Sequence, residues 1–145
     1  MEPSAGAFEG SEHTLAVRVY YEDTDLTGVV YHANYSRYFE RGRSDFLRLA
    51  GVDHASLLAR DDPAAFAVTR MTIAFLQAAR IDDALVVRTR FTSVRGVRLN
   101  VAQRILRGAE PIATAEVEVV CIGREGRVRR PPAELVQALA PWFSP

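Results

Sequence analysis

The spacing of apolar residues changes twice along this chain, and each change predicts a new type of element. Between residues 14 and 22 every second residue belongs to one largely apolar face, which consists of Leu15, Val17, Val19 and Tyr21. Such alternation is typical of a strand with one buried side. The spacing then lengthens to three and four residues, which predicts an amphipathic helix from about residue 32 or 34 to residue 50. Its stripe consists of Tyr35, Tyr38, Phe39, Gly42, Phe46 and Leu49.

Turn-forming residues divide the rest of the chain into shorter elements. Gly51 ends the long helix, and Asp53 is placed to cap a short helix over residues 53–59. Four further strands are predicted at residues 66–79, 85–93, 98–107 and 112–122. Short turns separate the last three of these strands, so they are expected to pair antiparallel, because parallel pairs need crossover connections. Two prolines then open a short helix that extends through Ala140.

These elements predict an α+β fold in which one long central helix is wrapped by a five-stranded antiparallel sheet. Residues 1–13 lack periodicity and are expected to form a flexible tail, residues 14–130 the domain, and residues 131–145 a C-terminal helix and tail. One helix covers only one face of such a sheet, so its other face and its edges predict self-association. Gly42 lies in the apolar stripe, where glycine is unfavourable, and this predicts a close approach of the helix to another backbone.

Composition excludes several classes of function. The 145 residues carry 18 cations, all of them arginine, and 18 anions, without the basic excess of a nucleic-acid-binding protein. Lysine is absent, which excludes Schiff-base chemistry on a lysine. Cys121 is the single cysteine and is expected to be a buried structural thiol. The N-terminus does not resemble a secretory signal and no stretch has the length of a membrane span, so a cytoplasmic protein without a transmembrane segment is expected.

An acidic loop follows the first predicted strand. It contains Asp23, Asp25, Thr27 and Gly28, a spacing that matches the opening of a calcium-binding loop. That motif requires a bidentate glutamate at its twelfth position, where this chain has Asn34, and a helix rather than a strand in front. No metal site is therefore predicted. Two interpretations remain: the carboxylates make only turn hydrogen bonds, or one of them acts on a substrate at the start of the helix.

The second interpretation has a clear physical basis. The first turn of a helix presents unpaired N–H groups and a partial positive charge, which can hold an oxyanion. A nearby carboxylate can attack a carbonyl or activate water. Such a minimal site suits hydrolysis of a thioester, because a thiol with a pKa of about 8.5 departs as a thiolate without a strong general acid.

Residues 20–35, Tyr-Tyr-Glu-Asp-Thr-Asp-Leu-Thr-Gly-Val-Val-Tyr-His-Ala-Asn-Tyr, continue to Phe39-Glu40-Arg41 and resemble the hot-dog-fold acyl-CoA thioesterases. The chain is most similar to the Tol–Pal-associated branch of the 4-hydroxybenzoyl-CoA thioesterase family. The resemblance extends from about residue 15 to residue 130. It implies the hot-dog fold, hydrolysis of acyl-CoA to free acid and CoA, and no metal or redox cofactor. It also implies a homodimer or a homotetramer built as a dimer of dimers, with acyl carrier protein as a second carrier of substrate.

Matching the family motif residue by residue assigns roles to six positions. Asp25 would be the catalytic carboxylate, as nucleophile or as general base, and the backbone N–H of His32 would polarise the thioester carbonyl. The substrate-binding residues would be Gly28, Val29, Tyr31 and Tyr35, although the place of Tyr35 on the apolar stripe equally favours a packing role. Arg98 departs from the small polar residue that the family often has after the corresponding hairpin. The alternative from a different functional class is a non-catalytic module that binds acyl-CoA or acyl carrier protein.

Overall fold

The computed structural model describes residues 1–143, which form three helices and seven strands. The long helix α1 spans Asn34–Leu49, and two short helices follow it, α2 at His54–Leu58 and α3 at Ala133–Leu139. The strands are β1 Ala7–Glu9, β2 Glu12–Arg18, β3 Ala65–Phe75, β4 Ala84–Arg95, β5 Arg98–Arg107, β6 Glu110–Ile122 and β7 Val128–Arg129. The predicted α+β class is confirmed. Within residues 1–143, no helix is long and apolar enough to cross a membrane.

All strands belong to one antiparallel sheet, whose neighbour order is β1-β2-β4-β5-β6-β3, with β7 paired to the end of β6. The five predicted strands are present as β2 to β6, and β1 and β7 are two short additions that the apolar pattern did not predict. Within the described residues, β3 has β6 on one side and no strand on the other. The sheet therefore ends in an eleven-residue strand with an open edge.

The core lies between α1 and the inner faces of β4, β5 and β6. The alternation read from the sequence holds in all three strands, and their buried inward residues include Leu85, Val87, Phe91, Leu99, Val101, Ile105, Ala115, Val117 and Cys121. The helix stripe also holds, except at its C-terminal end. There Leu49 is 40% exposed, and Leu47 is buried instead, because it faces an apolar cavity that also contains His54 and Phe66.

The N-terminal region differs from the flexible tail expected over residues 1–13. β1 pairs with β2 in a tight hairpin, and Phe8 on β1 stacks on Trp142 with ring centroids 3.9 Å apart. His13 is fully buried, and its Nε2 lies 2.7 Å from Oδ2 of Asp45 on α1. The backbone N–H of Gly6 donates to the same carboxylate oxygen at 2.8 Å. A buried polar contact with a distant helix leaves no trace in an apolar pattern, so the sequence did not predict it.

Gly42 lies where α1 comes closest to the sheet. A Cβ atom at this position would lie 2.8 Å from Thr89 Oγ1, 2.8 Å from Val87 Cγ1 and 3.1 Å from Gln103 Nε2. The close approach expected from the sequence is thus present, but side chains of β4 and β5 make it, and not another backbone. Gln103 also donates to the Phe39 carbonyl at 2.8 Å, which joins helix and sheet through a buried hydrogen bond.

We expect Gly42→Ala to lower the free energy of unfolding by about 2 kcal/mol, because an added methyl group overpacks this contact. In an open helix the same substitution is stabilising, by about 1 kcal/mol, so the sign of the change is diagnostic. Urea unfolding followed by circular dichroism measures the effect. Arg41→Ala, at the exposed neighbouring position, is the control and should change stability little. A more stable Gly42→Ala variant would show that the contact relaxes freely.

Candidate active site

The acidic loop, residues 23–28, presents the Asp25 carboxylate at the surface. Its Oδ1 accepts hydrogen bonds from the Thr27 hydroxyl at 2.6 Å and from the Thr27 N–H at 2.8 Å. These bonds, the hydroxyl first, lower the pKa of Asp25 below its ordinary value. Gly28 has a φ of +81°, and its N–H donates to the Asp25 carbonyl at 3.2 Å, which closes the turn. The loop therefore holds an ionised carboxylate on a tight and internally bonded turn.

The Asp23 carbonyl ties this loop to the start of α1. It accepts a hydrogen bond from the Tyr31 N–H at 3.0 Å and one from Asn34 Nδ2 at 2.8 Å. The Asp23 carboxylate accepts from the Tyr20 N–H instead. The two loop carboxylates thus bond to different donors and do not form the shared oxygen cage that calcium requires. Among residues 1–143 there is no group of three or more acidic, histidine or cysteine side chains that could hold a metal ion.

The beginning of α1 leaves backbone donors free. Ala33 occupies the N-cap position, and alanine has no side-chain oxygen with which to cap the helix. The N–H groups of Asn34 and Tyr35 donate to the Tyr31 and His32 carbonyls, whereas those of His32 and Ala33 make no hydrogen bond within the described residues. His32 is exposed. Two N–H groups without a partner in the described residues and the positive end of the helix dipole therefore lie at exposed residues.

A distant segment, residues 79–81, packs between the acidic loop and the helix start. The Ala79 N–H donates to the phenol oxygen of Tyr35 at 3.1 Å, and the Ala79 carbonyl accepts from the Val30 N–H at 2.8 Å. Val29 forms an isolated antiparallel bridge with Arg80. Tyr35 is buried in the core, and its phenol therefore supports residues 79–81 from within the protein. Although it is more than forty residues away in sequence, this segment therefore contacts both the loop and the helix and fixes their relative position.

Four of the six predicted site residues line two surface depressions, and Val29 and Tyr31 line neither. The first, the Asp25 depression, is lined by Tyr21, Thr24, Asp25, Leu26, Gly28 and Ile81. The second, the His32 depression, is lined by Val30, His32, Tyr35, Phe75, Leu76, Gln77 and Ala78. Val29 lies between them in sequence, and the half-exposed ring of Tyr31 lies beside His32 with centroids 4.5 Å apart. In the single chain, Asp25 and Gly28 therefore line one depression, and His32 and Tyr35 line the other.

Sequence reasoning missed three contributors to this arrangement. Thr27 accounts for the lowered pKa of Asp25, and a threonine two residues after an aspartate is a recognisable signal for such a turn. Asn34 anchors the loop, and a polar residue at the first helical position suggests that role. Residues 79–81 carry no comparable signal, because only folding brings them to the loop.

A separate apolar cavity beneath α1 holds a serine and a histidine that do not form a catalytic triad. Ser44 Oγ donates to Glu40 Oε1 at 2.5 Å and lies 2.9 Å from His54 Nε2. In a triad the carboxylate orients the histidine, whereas here it contacts the serine. Cys121 is buried, as expected, and burial raises its pKa, which disfavours the reactive thiolate. Arg98 faces Glu118 across the strand pair at 3.4 Å.

A single long helix packed on an antiparallel sheet, with an acidic loop leading into the helix, defines a protein of the hot-dog fold. The sequence model of the thioesterase-like superfamily matches residues 19–143, and the chain belongs to that family. The match covers most of the domain and all of the candidate site.

Individual relatives agree with this assignment. The acyl-CoA thioester hydrolase YbgC of Escherichia coli is 45% identical over 107 residues, which are 73% of this chain and 78% of that protein. The acyl-CoA thioesterase YbgC of Haemophilus influenzae is 42% identical over 109 residues, or 75% of this chain and 79% of the relative. The crystal structure of a probable thioesterase from Bartonella henselae superimposes with a TM-score of 0.81 at 42% identity, covering 83% of this chain and 99% of that one.

Proposed function

We propose that this enzyme hydrolyses acyl-CoA thioesters to a free acid and CoA, with Asp25 as the catalytic carboxylate. The observation that carries the proposal is the ionised Asp25 carboxylate held on the turn that leads into a helix start with free N–H groups. That the chain is a thioesterase is supported by its family and by the activities named for its relatives. The roles of individual residues are part of the proposal.

The proposed reaction needs two groups to act on one carbonyl. The thioester oxygen would accept a hydrogen bond from the His32 backbone N–H, where the helix dipole stabilises the developing negative charge. Asp25 would then either attack the carbonyl carbon, forming a mixed anhydride, or take a proton from a water molecule that attacks it. In both routes the C–S bond breaks and CoA leaves as a thiolate. The imidazole of His32 has no assigned step.

The remaining site residues would shape and support the site. Gly28 permits the positive φ that closes the turn carrying Asp25, and Val29 links the loop to residues 79–81. Tyr31 is half exposed beside His32 and is placed to contact substrate. The Tyr35 phenol oxygen accepts a hydrogen bond from the Ala79 N–H and so fixes residues 79–81, which support the loop.

The proposal includes a homodimer, or a homotetramer built from two dimers. Its support is the open edge of β3, an eleven-residue strand, together with the exposed apolar side chains of Val68, Phe75 and Leu76 along and beside it. An open edge with exposed apolar residues is a template for pairing with another copy. Acyl carrier protein as a second substrate carrier, a cytoplasmic location and an association with the Tol–Pal system also belong to the proposal, on the strength of the sequence resemblance.

We expect the purified protein to release free thiol from at least one member of a panel of acyl-CoA esters that ranges from acetyl to palmitoyl and includes an aryl ester. A colorimetric thiol assay measures the rate, and the uncatalysed rate of each ester is the reference. The alternative function, a non-catalytic binding module, predicts saturable binding of acyl-CoA by calorimetry without thiol release. Binding without turnover across the whole panel would therefore overturn the proposed hydrolysis.

The two routes open to Asp25 differ in where oxygen from solvent is found. In a single turnover in ¹⁸O-labelled water, a mixed anhydride that is hydrolysed at the Asp25 carbonyl leaves ¹⁸O in the enzyme. Direct attack by activated water leaves all of the label in the released acid. Label in the peptide that contains Asp25, measured by mass spectrometry, identifies the mixed anhydride, whereas label in the acid alone is produced both by direct attack and by an anhydride that water cleaves at its acyl carbonyl.

A further inference from the structure

Large apolar side chains surround the candidate nucleophile without being covered by the rest of the chain. Leu26, the residue after Asp25, is fully exposed at the tip of the loop. Tyr21 is 84% exposed and Ile81 is 41% exposed, and both line the same depression as Leu26 and Asp25. Single exposed apolar residues are common on protein surfaces, but a group of three around one carboxylate indicates a binding surface.

The threonine hydroxyls on this loop are already engaged, whereas the phenol of Tyr21 is exposed. The Thr24 hydroxyl donates to the Tyr21 carbonyl at 2.8 Å, and the Thr27 hydroxyl and N–H are bound to Asp25. Asp25 is the one charged residue in its lining within the described chain. The surface therefore offers apolar contact, a negative charge and the single exposed phenol of Tyr21.

Resting on the proposed function, we infer that the depression formed by Tyr21, Leu26 and Ile81 binds the acyl group of the substrate, and that these three residues determine acyl-chain preference. A thioester has two arms. The CoA arm begins with pantetheine, whose amides need hydrogen-bond partners. The acyl arm is apolar and gains from contact with exposed leucine, isoleucine and tyrosine. Because the carbonyl carbon must reach Asp25, both arms start beside this depression, and the acyl chain is the arm that gains from its apolar side chains.

The preferred substrates are then CoA esters of uncharged acyl groups that are long enough to cover the three side chains. Each methylene buried against apolar surface strengthens binding about fourfold, so the ratio of kcat/KM for hexanoyl-CoA to that for acetyl-CoA reports the contact. A carboxylate at the end of the acyl chain is expected to be rejected, because Asp25 is negatively charged.

The test is Leu26→Ser, with Leu58→Ser as the control, since Leu58 is also an exposed leucine, although less so than Leu26, and on α2 it lines neither depression. We expect Leu26→Ser to lower the hexanoyl-to-acetyl ratio of kcat/KM by about tenfold, mainly through KM for hexanoyl-CoA. Leu58→Ser should leave the ratio unchanged, and Ile81→Ser should act in the same direction as Leu26→Ser. An equal loss for both substrates, or no loss, would overturn the inference.

Binding measurements separate this inference from the proposed function. Calorimetry with the non-hydrolysable thioethers S-hexyl-CoA and S-methyl-CoA reports the same contact whether or not the protein turns substrate over. If Leu26→Ser binds S-hexyl-CoA more weakly but S-methyl-CoA as before, the acyl site is supported even when no acyl-CoA is hydrolysed. A lack of hydrolysis would then count against the proposed function alone. Light scattering completes the test: a change in oligomeric state on Leu26→Ser would show that a second copy covers this surface, and would overturn the inference.

Discussion

Asp25→Asn is expected to reduce acyl-CoA hydrolysis by at least about a thousandfold, while the protein remains folded. The substitution keeps the shape of the side chain and removes the negative charge that attacks the carbonyl or accepts a proton from water. The carboxylate is exposed and its partners are the N–H and hydroxyl of Thr27, so the fold does not depend on its charge. Steady-state thiol release with the best substrate of the panel measures the loss.

Asp23→Asn is the matched control, because it removes a charge from the same loop at a carboxylate that accepts from the Tyr20 N–H and lines neither depression. It should retain most of the activity. The lowered pKa of Asp25 adds a second expectation: this residue stays ionised at every pH above its ordinary value of about 3.9, so its protonation causes no loss of activity between pH 5 and 8. If Asp25→Asn turns over at a rate close to that of the wild type, another group is the catalytic base or nucleophile.

Asp45→Ala is expected to lower the free energy of unfolding by about 3 kcal/mol, because it leaves the fully buried His13 imidazole and the Gly6 N–H without their acceptor. The pair connects the N-terminal hairpin to α1, so β1 should detach before the rest of the sheet unfolds. Chemical denaturation measures the loss, and hydrogen exchange of β1 amides locates it. Asp53→Ala, which removes only the exposed cap of α2, should cost about 1 kcal/mol. Equal losses in the two variants would contradict the structural role of the buried pair.

The same pair makes stability depend on pH in a defined direction. Burial lowers the pKa of His13 in the folded protein, while its bond to Asp45 opposes that shift. The unfolded chain therefore binds this proton more readily, so the contribution of His13 is complete above its ordinary pKa of about 6.5 and is lost as the pH falls below that value. His13→Phe should show a smaller loss of stability between pH 7.5 and 5.5 than the wild type.

The apolar pattern predicted the fold correctly where elements are long and half buried. Periods of two and of three to four placed the five main strands and the long helix, because each of these elements buries one face against the other. The pattern failed where burial is polar or local. His13 is a polar residue that is nevertheless buried. Leu47 is buried instead of Leu49 because Leu47 lines the apolar cavity next to α1. Tyr21, expected on the buried face, is exposed because the strand gives way to a short 3₁₀ turn at Tyr21–Asp23.

For this protein the sequence by itself determined the five long strands, the long helix, and the acidic loop immediately before that helix. These are local properties, set by side chains within a few turns of one another. Only the tertiary structure decided which groups surround that loop. The pairing order of the sheet brings residues 79–81 against Val29 and Tyr35, and it places Ile81 beside Leu26 and Asp25, more than fifty residues away along the chain. Such contacts depend on the packing of the whole sheet, and no local pattern records them.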